Sequence, residues 1–198
     1  MVEGKTIIRL ASDADFDIIV WFYINHMFDS YLLRFGYNFV RQYLRIIVKS
    51  KNCISLVAED NGIVGFIMAA LNSRKLFMEL ILDWKLFLCY LMQLFIRPVC
   101  FLQALGLIFY PFKAYIRKIN AELLFISISP EARRKKIAGD LIISVFDIMK
   151  QNNTKKVQVS TSNKNVAINS LLKKMGFKQE KVFSLFKKPM YLYSYELY

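Results

Sequence analysis

An α/β fold of mixed α+β character follows from three stretches of the chain. Residues 120–147 read NAELLFISISPEARRKKIAGDLIISVFD. The apolar run from Leu123 to Ile128 predicts a buried strand, and Ser129-Pro130 ends it. Ile137, Leu141, Ile142, Val145, Ile148 and Met149 then return at helical spacing. The second stretch is a hairpin, in which Asp60-Asn61-Gly62 joins the apolar runs 53–59 and 63–71. Asn-Gly tolerates positive φ at both central positions of such a turn. The third is a pair of late alternating segments, KKVQVS and MYLYSYEL, each with the period of a half-buried strand.

The remaining elements follow in order. Residues 6–10 predict a first strand. Ser12 and Asp15 have capping-box spacing, with Asp in place of Glu, ahead of a helix over 13–27. Its apolar positions are Phe16, Ile19, Val20, Tyr23 and Met27. Gly36 interrupts the next segment, after which Phe39, Tyr43, Ile46 and Ile47 give a second helical stripe. Residues 73–119 read as two or three apolar helices, broken at Pro98 and Pro111. Residues 165–177, NVAINSLLKKMGF, predict a helix that ends where Gly176 supplies a left-handed cap.

Composition limits the reading further. The 198 residues suit one domain, 1–198, and 56% of them are apolar. The formal net charge of +13 points to a polyanionic ligand, an acidic membrane surface or nucleic acid. No recognised nucleic-acid motif is present, so nucleic acid is not expected as a partner. Cys53, Cys89 and Cys100 are an odd count without close pairs, which argues against a disulfide framework. The opening segment MVEGKTIIRLASDAD has no apolar core of signal-peptide length, and a cytoplasmic location is expected. No metal site is expected, because His and Cys do not cluster at ligand spacing. The one histidine, His26, reads as structural at a helix end.

The strand–turn–helix at 120–147 carries the chemistry. A helix N-terminus offers free backbone N–H groups that favour an anion. Four consecutive cations, Arg133, Arg134, Lys135 and Lys136, stand at the same place. Alone, the turn reads equally well as the solvated basic start of an amphipathic helix. It also resembles the acyl-CoA-binding pattern Q/R-x-x-G-x-G/A of the GCN5-related N-acetyltransferases, the GNAT superfamily. Arg133 and Ala138 match the ends of that pattern, Lys136 stands at the Gly position and Ile137 lies between. Residues 165–177 resemble the same family's second signature, N-x-x-S/A-N-x-F-Y-x-K-x-G-F. Asn165, Asn169, Lys174, Gly176 and Phe177 match, Ile168 replaces a small residue, Leu171 replaces Phe and Leu172 replaces Tyr.

The resemblance spans nearly the whole chain and implies a GNAT fold, a mixed central sheet flanked by helices. It implies an N-acetyltransferase that uses acetyl-CoA as co-substrate, without a metal, on a primary amine. A small amine, an amino sugar or a peptide would serve as acceptor. The backbone N–H groups of Ile126, Ser127 and Ile128 would receive the pantetheine and the thioester carbonyl. The cofactor-binding set continues through Arg133, Arg134, Lys135, Lys136, Ile137, Ala138 and Gly139 to Asn165 and Asn169. Glu122 would be the general base, with Asp83 or Glu79 as alternatives. Leu172 cannot donate a proton, so either the thiolate leaves unprotonated or the protein binds acyl-CoA and turns over weakly. Tyr191, Tyr193 and Tyr195 are the other hydroxyls considered for the sulfur.

Residues 73–119 exceed a minimal domain of this kind. Between Leu86 and Phe112 the only charge is Arg97, and Pro98 divides the run. A transmembrane helix needs roughly 20 consecutive apolar residues, so a single span is disfavoured. Two readings stay open: a helical pair packed as extra core, or an amphipathic lid at the acceptor site that touches the inner face of a membrane peripherally. A homodimer also stays open.

Overall fold

The computed structural model describes residues 6–27, 30–96, 116, 119–186 and 188–198. Seven strands form one mixed sheet: β1 (Ile7–Leu10), β2 (Cys53–Glu59), β3 (Ile63–Ala70), β4 (Ala121–Ile128), β5 (Lys156–Ser162), β6 (Lys178–Leu185) and β7 (Lys188–Glu196). Their order is β1-β2-β3-β4-β5-β7-β6. Every neighbouring pair is antiparallel except β4 and β5. The hairpin turn holds Asn61 and Gly62 at φ 53° and 129°, the positive values that Asn-Gly accepts.

Helices cover both faces. α1 (Phe16–His26) and α2 (Gly36–Lys49) pack on Val57, Phe66, Met68 and Ala70. α5 (Ile137–Gln151) packs on Ile54, Leu56, Ala58, Ile67 and Ala69, and α6 (Val166–Lys174) adds Leu172 to that core. Alternation along β2 and β3 sends successive side chains to opposite layers, so each strand serves two cores and both are mostly apolar. The start of α1 is fixed electrostatically. The buried Asp15 carboxylate accepts from the Arg9 guanidinium at 2.7 and 2.9 Å and from the Ser12 backbone N–H at 2.7 Å.

The strand β6 was not anticipated in the sequence. Its segment KQEKVFSL is exposed along most of its length and lacks an apolar alternation. It forms because it pairs with β7 as a hairpin at the sheet edge.

Among the described residues of 73–119 there are two helices, α3 (Ser73–Leu82) and α4 (Trp84–Ile96), which lie against α2. Leu76 and Leu86 are their buried anchors. The Ser73 N–H and hydroxyl both donate to the Asn120 carbonyl at 2.8 Å, so the segment leaves the fold and rejoins it at one point. The expected third helix, Arg97, Pro98, Cys100 and Pro111 lie outside the described residues. Among those residues no helix is long and apolar enough to cross a membrane.

Candidate active site

The parallel pairing of β4 with β5 covers three residues, from Ala121 opposite Val157 to Leu123 opposite Val159. The ladder of β4 with β3 then slips. Met68 faces Phe125 and Ala69 faces Leu123, which leaves Leu124 as an extra residue. A bulge of this kind bends its strand and ends regular pairing. Beyond it β4 follows β3 as far as Ile128 opposite Gly65, while β5 follows β7 to Ser162 opposite Met190. Each strand is held by its outer neighbour, and the two diverge. Gly65 permits the close approach on the β3 side: a Cβ there would lie 2.8 Å from the Ser127 carbonyl oxygen.

The cleft so opened is lined by Leu124, Phe125 and Ile126 of β4, Ser160 and Thr161 of β5, Ile142 of α5, Met27, and Asn165, Ile168 and Leu172 at α6. Its open edge carries main-chain donors. Ser129 N–H donates to Val64 on the β3 side at 2.8 Å. Alternation along the antiparallel ladder puts the N–H of Ser127 on that same side. The N–H groups of Ile126 and Ile128 therefore face the cleft, with no β5 partner in the parallel ladder.

At the outer end of β4 stands the basic turn. Arg133, Arg134, Lys135 and Lys136 are all exposed, beside the acids Glu131 and Asp140. Arg134 and Lys136 adopt φ of 66° and 65°, a left-handed backbone that Gly takes at no steric cost. Lys136 is the N-cap of α5 and makes no side-chain cap bond. Its carbonyl accepts from Gly139 and Asp140, so the orphan N–H groups of the helix start are those of Ile137 and Ala138. A Cβ added at Gly139 would meet only open space.

Asn165 caps α6 through its side-chain oxygen, which accepts from Ile168 at 3.4 Å, and it also lines the cleft. Asn169 is used within the fold. Its Nδ2 donates to the Ser162 carbonyl at 2.9 Å and its Oδ1 accepts from the Tyr193 hydroxyl at 3.2 Å. Burial pushes the Tyr193 phenol above its usual range. Tyr195 is stacked on Phe146 at 4.8 Å and lies against Phe177. The cleft lining contains none of the three β7 tyrosines, and where the resemblance wants one it presents the buried side chain of Leu172.

Glu122 is buried in the paired stretch of β4, opposite Gln158 in the register and one residue before the first β4 residue of the cleft lining, Leu123. Gln158 is fully buried. Its Oε1 accepts from the Ile116 N–H at 3.0 Å, and its Nε2 has no partner among the described residues. Sequence reading passed over Gln158 because Val157 and Val159 explain the strand without it. The signal that would find it is an amide between two buried valines. The alternative bases are engaged elsewhere. Asp83 Oδ1 accepts from Leu86 N–H and from Gln42, and Glu79 accepts from Asn52. His26 ends α1, its ring packed edge-on against Trp21 and Phe22.

The sheet order, the bulge and the splayed parallel pair agree with a match between residues 21–177 and the model of the acetyltransferase (GNAT) family. The chain belongs to the acetyltransferase (GNAT) family. No curated protein sequence matches it. Solved structures of this GNAT protein's fold include the ribosomal-protein-S18-alanine N-acetyltransferase of Escherichia coli, at 9% identity and TM-score 0.62, covering 98% of this chain and 94% of that one. NAA60 of Arabidopsis thaliana in complex with acetyl-CoA matches at 14% identity and TM-score 0.62, covering 97% and 98%. The paia N-acetyltransferase of Thermoplasma acidophilum in complex with coenzyme A matches at 19% identity and TM-score 0.58, covering 96% and 99%. At these identities the likeness is one of fold.

Proposed function

We propose that this GNAT protein transfers an acetyl group from acetyl-CoA to a primary amine. The observation that carries the reading is the splayed β4–β5 pair, whose open edge leads to a helix start crowded with cations. Glu122 and Ile128 are six residues apart, roughly 20 Å of extended strand. A long molecule with an anionic head and a reactive tail matches that layout. The phosphates would lie on the N–H groups of Ile137 and Ala138 and the cations from Arg133 to Lys136. The pantetheine arm would take the N–H groups of Ile126 and Ile128, and the thioester would reach the closed end.

There the amine nitrogen attacks the thioester carbonyl carbon, the C–N bond forms and the C–S bond breaks. Glu122 accepts the proton that the amine loses, directly or through one water. The fixed N–H donors stabilise the oxyanion without reorganising. Leu172 supplies no proton to the sulfur. An ordinary thiol pKa of about 8.5 allows the thiolate to depart and take its proton from solvent. The apolar lining around Leu172 and the missing hydroxyl favour a second reading, an acyl-CoA-binding module with weak turnover.

One experiment separates the two. Calorimetry with acetyl-CoA is run on the wild type and on Arg133→Glu/Arg134→Glu, and thiol release is followed across a panel of small amines, amino sugars and peptides. We expect the double variant to lose affinity by about tenfold or more. Glu122→Gln should bind acetyl-CoA normally and release thiol about 10²-fold more slowly. Unchanged affinity in the double variant would refute the phosphate site. Binding without thiol release on any amine would establish the second reading.

A further inference from the structure

The two helices of the inserted segment have opposite faces. Inward, Leu76 and Leu86 enter the core beneath α2. Outward, Met78, Ile81, Leu82, Trp84, Phe87 and Met92 are each more than half exposed. On α3 these outward positions are three and four residues apart, and on α4 they recur at 84, 87 or 88, and 92, which is one stripe on each helix. So much contiguous apolar exposure marks an interaction surface.

The charges around it are sorted by sign. The two acids of the pair turn inward: Glu79 accepts from Asn52, and Asp83 accepts from Gln42 and the Leu86 N–H. The cations stay outside. Arg74, Lys75 and Lys85 are exposed, and the Lys85 ammonium sits 5.7 Å over the Trp84 ring. Among the described residues of this segment the exposed charges are all cations, and an apolar stripe with such neighbours calls for a partner that is apolar within and anionic at its surface. A second copy of this chain would bring the same cations and a net charge of +13 against it. Residues 97–119 carry Arg97, Lys113, Arg117 and Lys118 and no Asp or Glu, so they too bring positive charge.

We propose that the outward face of α3 and α4 docks on an anionic lipid surface, with Trp84 and Phe87 entering the headgroup boundary and Arg74, Lys75 and Lys85 contacting acidic headgroups. The docking is independent of the acetyl-transfer reading. Because Ser73 is bonded to Asn120 at the start of β4, the docked face is tied to the strand that carries Glu122.

The full-length protein is sedimented with vesicles of phosphatidylcholine alone and of phosphatidylcholine mixed with phosphatidylglycerol. It should bind the mixed vesicles, less so as salt rises, and leave the neutral ones in solution. Trp84→Ser/Phe87→Ser should lower partitioning by roughly tenfold or more, and Lys85→Glu by roughly fivefold or more. Trp21→Ser, an exposed change on α1, should leave it unaltered. Thermal melting of each variant accompanies the binding, since the substituted side chains are exposed and the melts should coincide. Failure to bind the mixed vesicles, or equal binding by Trp84→Ser/Phe87→Ser, overturns the proposal. So does a dimer in solution that this variant dissociates, which would make the face a contact between copies. A lowered melting temperature with new protease cleavage in 97–115 would show that the chain covers its own stripe, and would overturn it as well.

Discussion

Asp15 accepts hydrogen bonds from Arg9 and Ser12 and is almost fully shielded. The Arg9 guanidinium, more than any other group, holds its carboxyl well below the usual carboxylate range. A depressed folded-state pKa gives stability that is present above the unfolded value, about 3.9, and fades as pH falls toward the folded one. Asp15→Asn should therefore cost on the order of 1–3 kcal/mol at neutral pH. In urea titrations the gap from wild type should close below about pH 4. Lys136 poses a different residue-scale problem. Its left-handed φ costs an L residue roughly 1 kcal/mol, which Gly does not incur. Lys136→Gly should raise stability by about that amount while removing one cation from the turn. Acetyl-CoA affinity should stay within about tenfold and depend less on salt. A larger loss would make the Lys136 ammonium the principal phosphate ligand.

At the scale of elements, α6 is tied down by Asn169, which joins the end of β5 to the hydroxyl of Tyr193 on β7. Asn169→Ala leaves that buried hydroxyl unpaired and should destabilise by about 1–3 kcal/mol. Tyr193→Phe added to it should restore part of the loss, and a double-mutant cycle by chemical denaturation measures the coupling. The same elements mark what could be read beforehand. The limits of β2 and the start of α5 were legible because both are dense in apolar residues at a single period. The basic turn was legible as a charge run and Lys136 as the occupant of a Gly position, whereas the left-handed backbone of Arg134 and Lys136 was not legible. The edge strand β6 was not, since pairing to β7 holds KQEKVFSL in place and its own pattern does not. The opening of the cleft was implied by the family resemblance alone, and the residue pattern carries no sign of it. It depends on one surplus residue, Leu124, inside the apolar run 123–126, where a bulge leaves no trace in composition. Gln158 was hidden for a related reason, because a polar residue in a strand is ordinarily assigned to the solvent side.

On the scale of the whole molecule, the sheet is two half-sheets, β1–β4 and β5–β7, and the strand pairing across their junction amounts to three rungs. Lateral continuity beyond Leu123 depends on whatever occupies the gap. A ligand that spans it would serve as an interposed strand, completing hydrogen bonds that the polypeptide leaves open. Occupancy and global stability are then one equilibrium: at a hundredfold excess over its Kd, acetyl-CoA should add about 2.7 kcal/mol. Two measurements test this. The melting temperature should climb with the logarithm of ligand concentration, and hydrogen exchange at the Ile126 and Ile128 amides should slow more than at Ser127, already engaged on the β3 side. If the melting temperature climbs and those two amides keep exchanging at their ligand-free rates, the ligand lies elsewhere on the protein. If both respond, the proposed ligand closes the seam, and the stability of the whole sheet rises and falls with its supply.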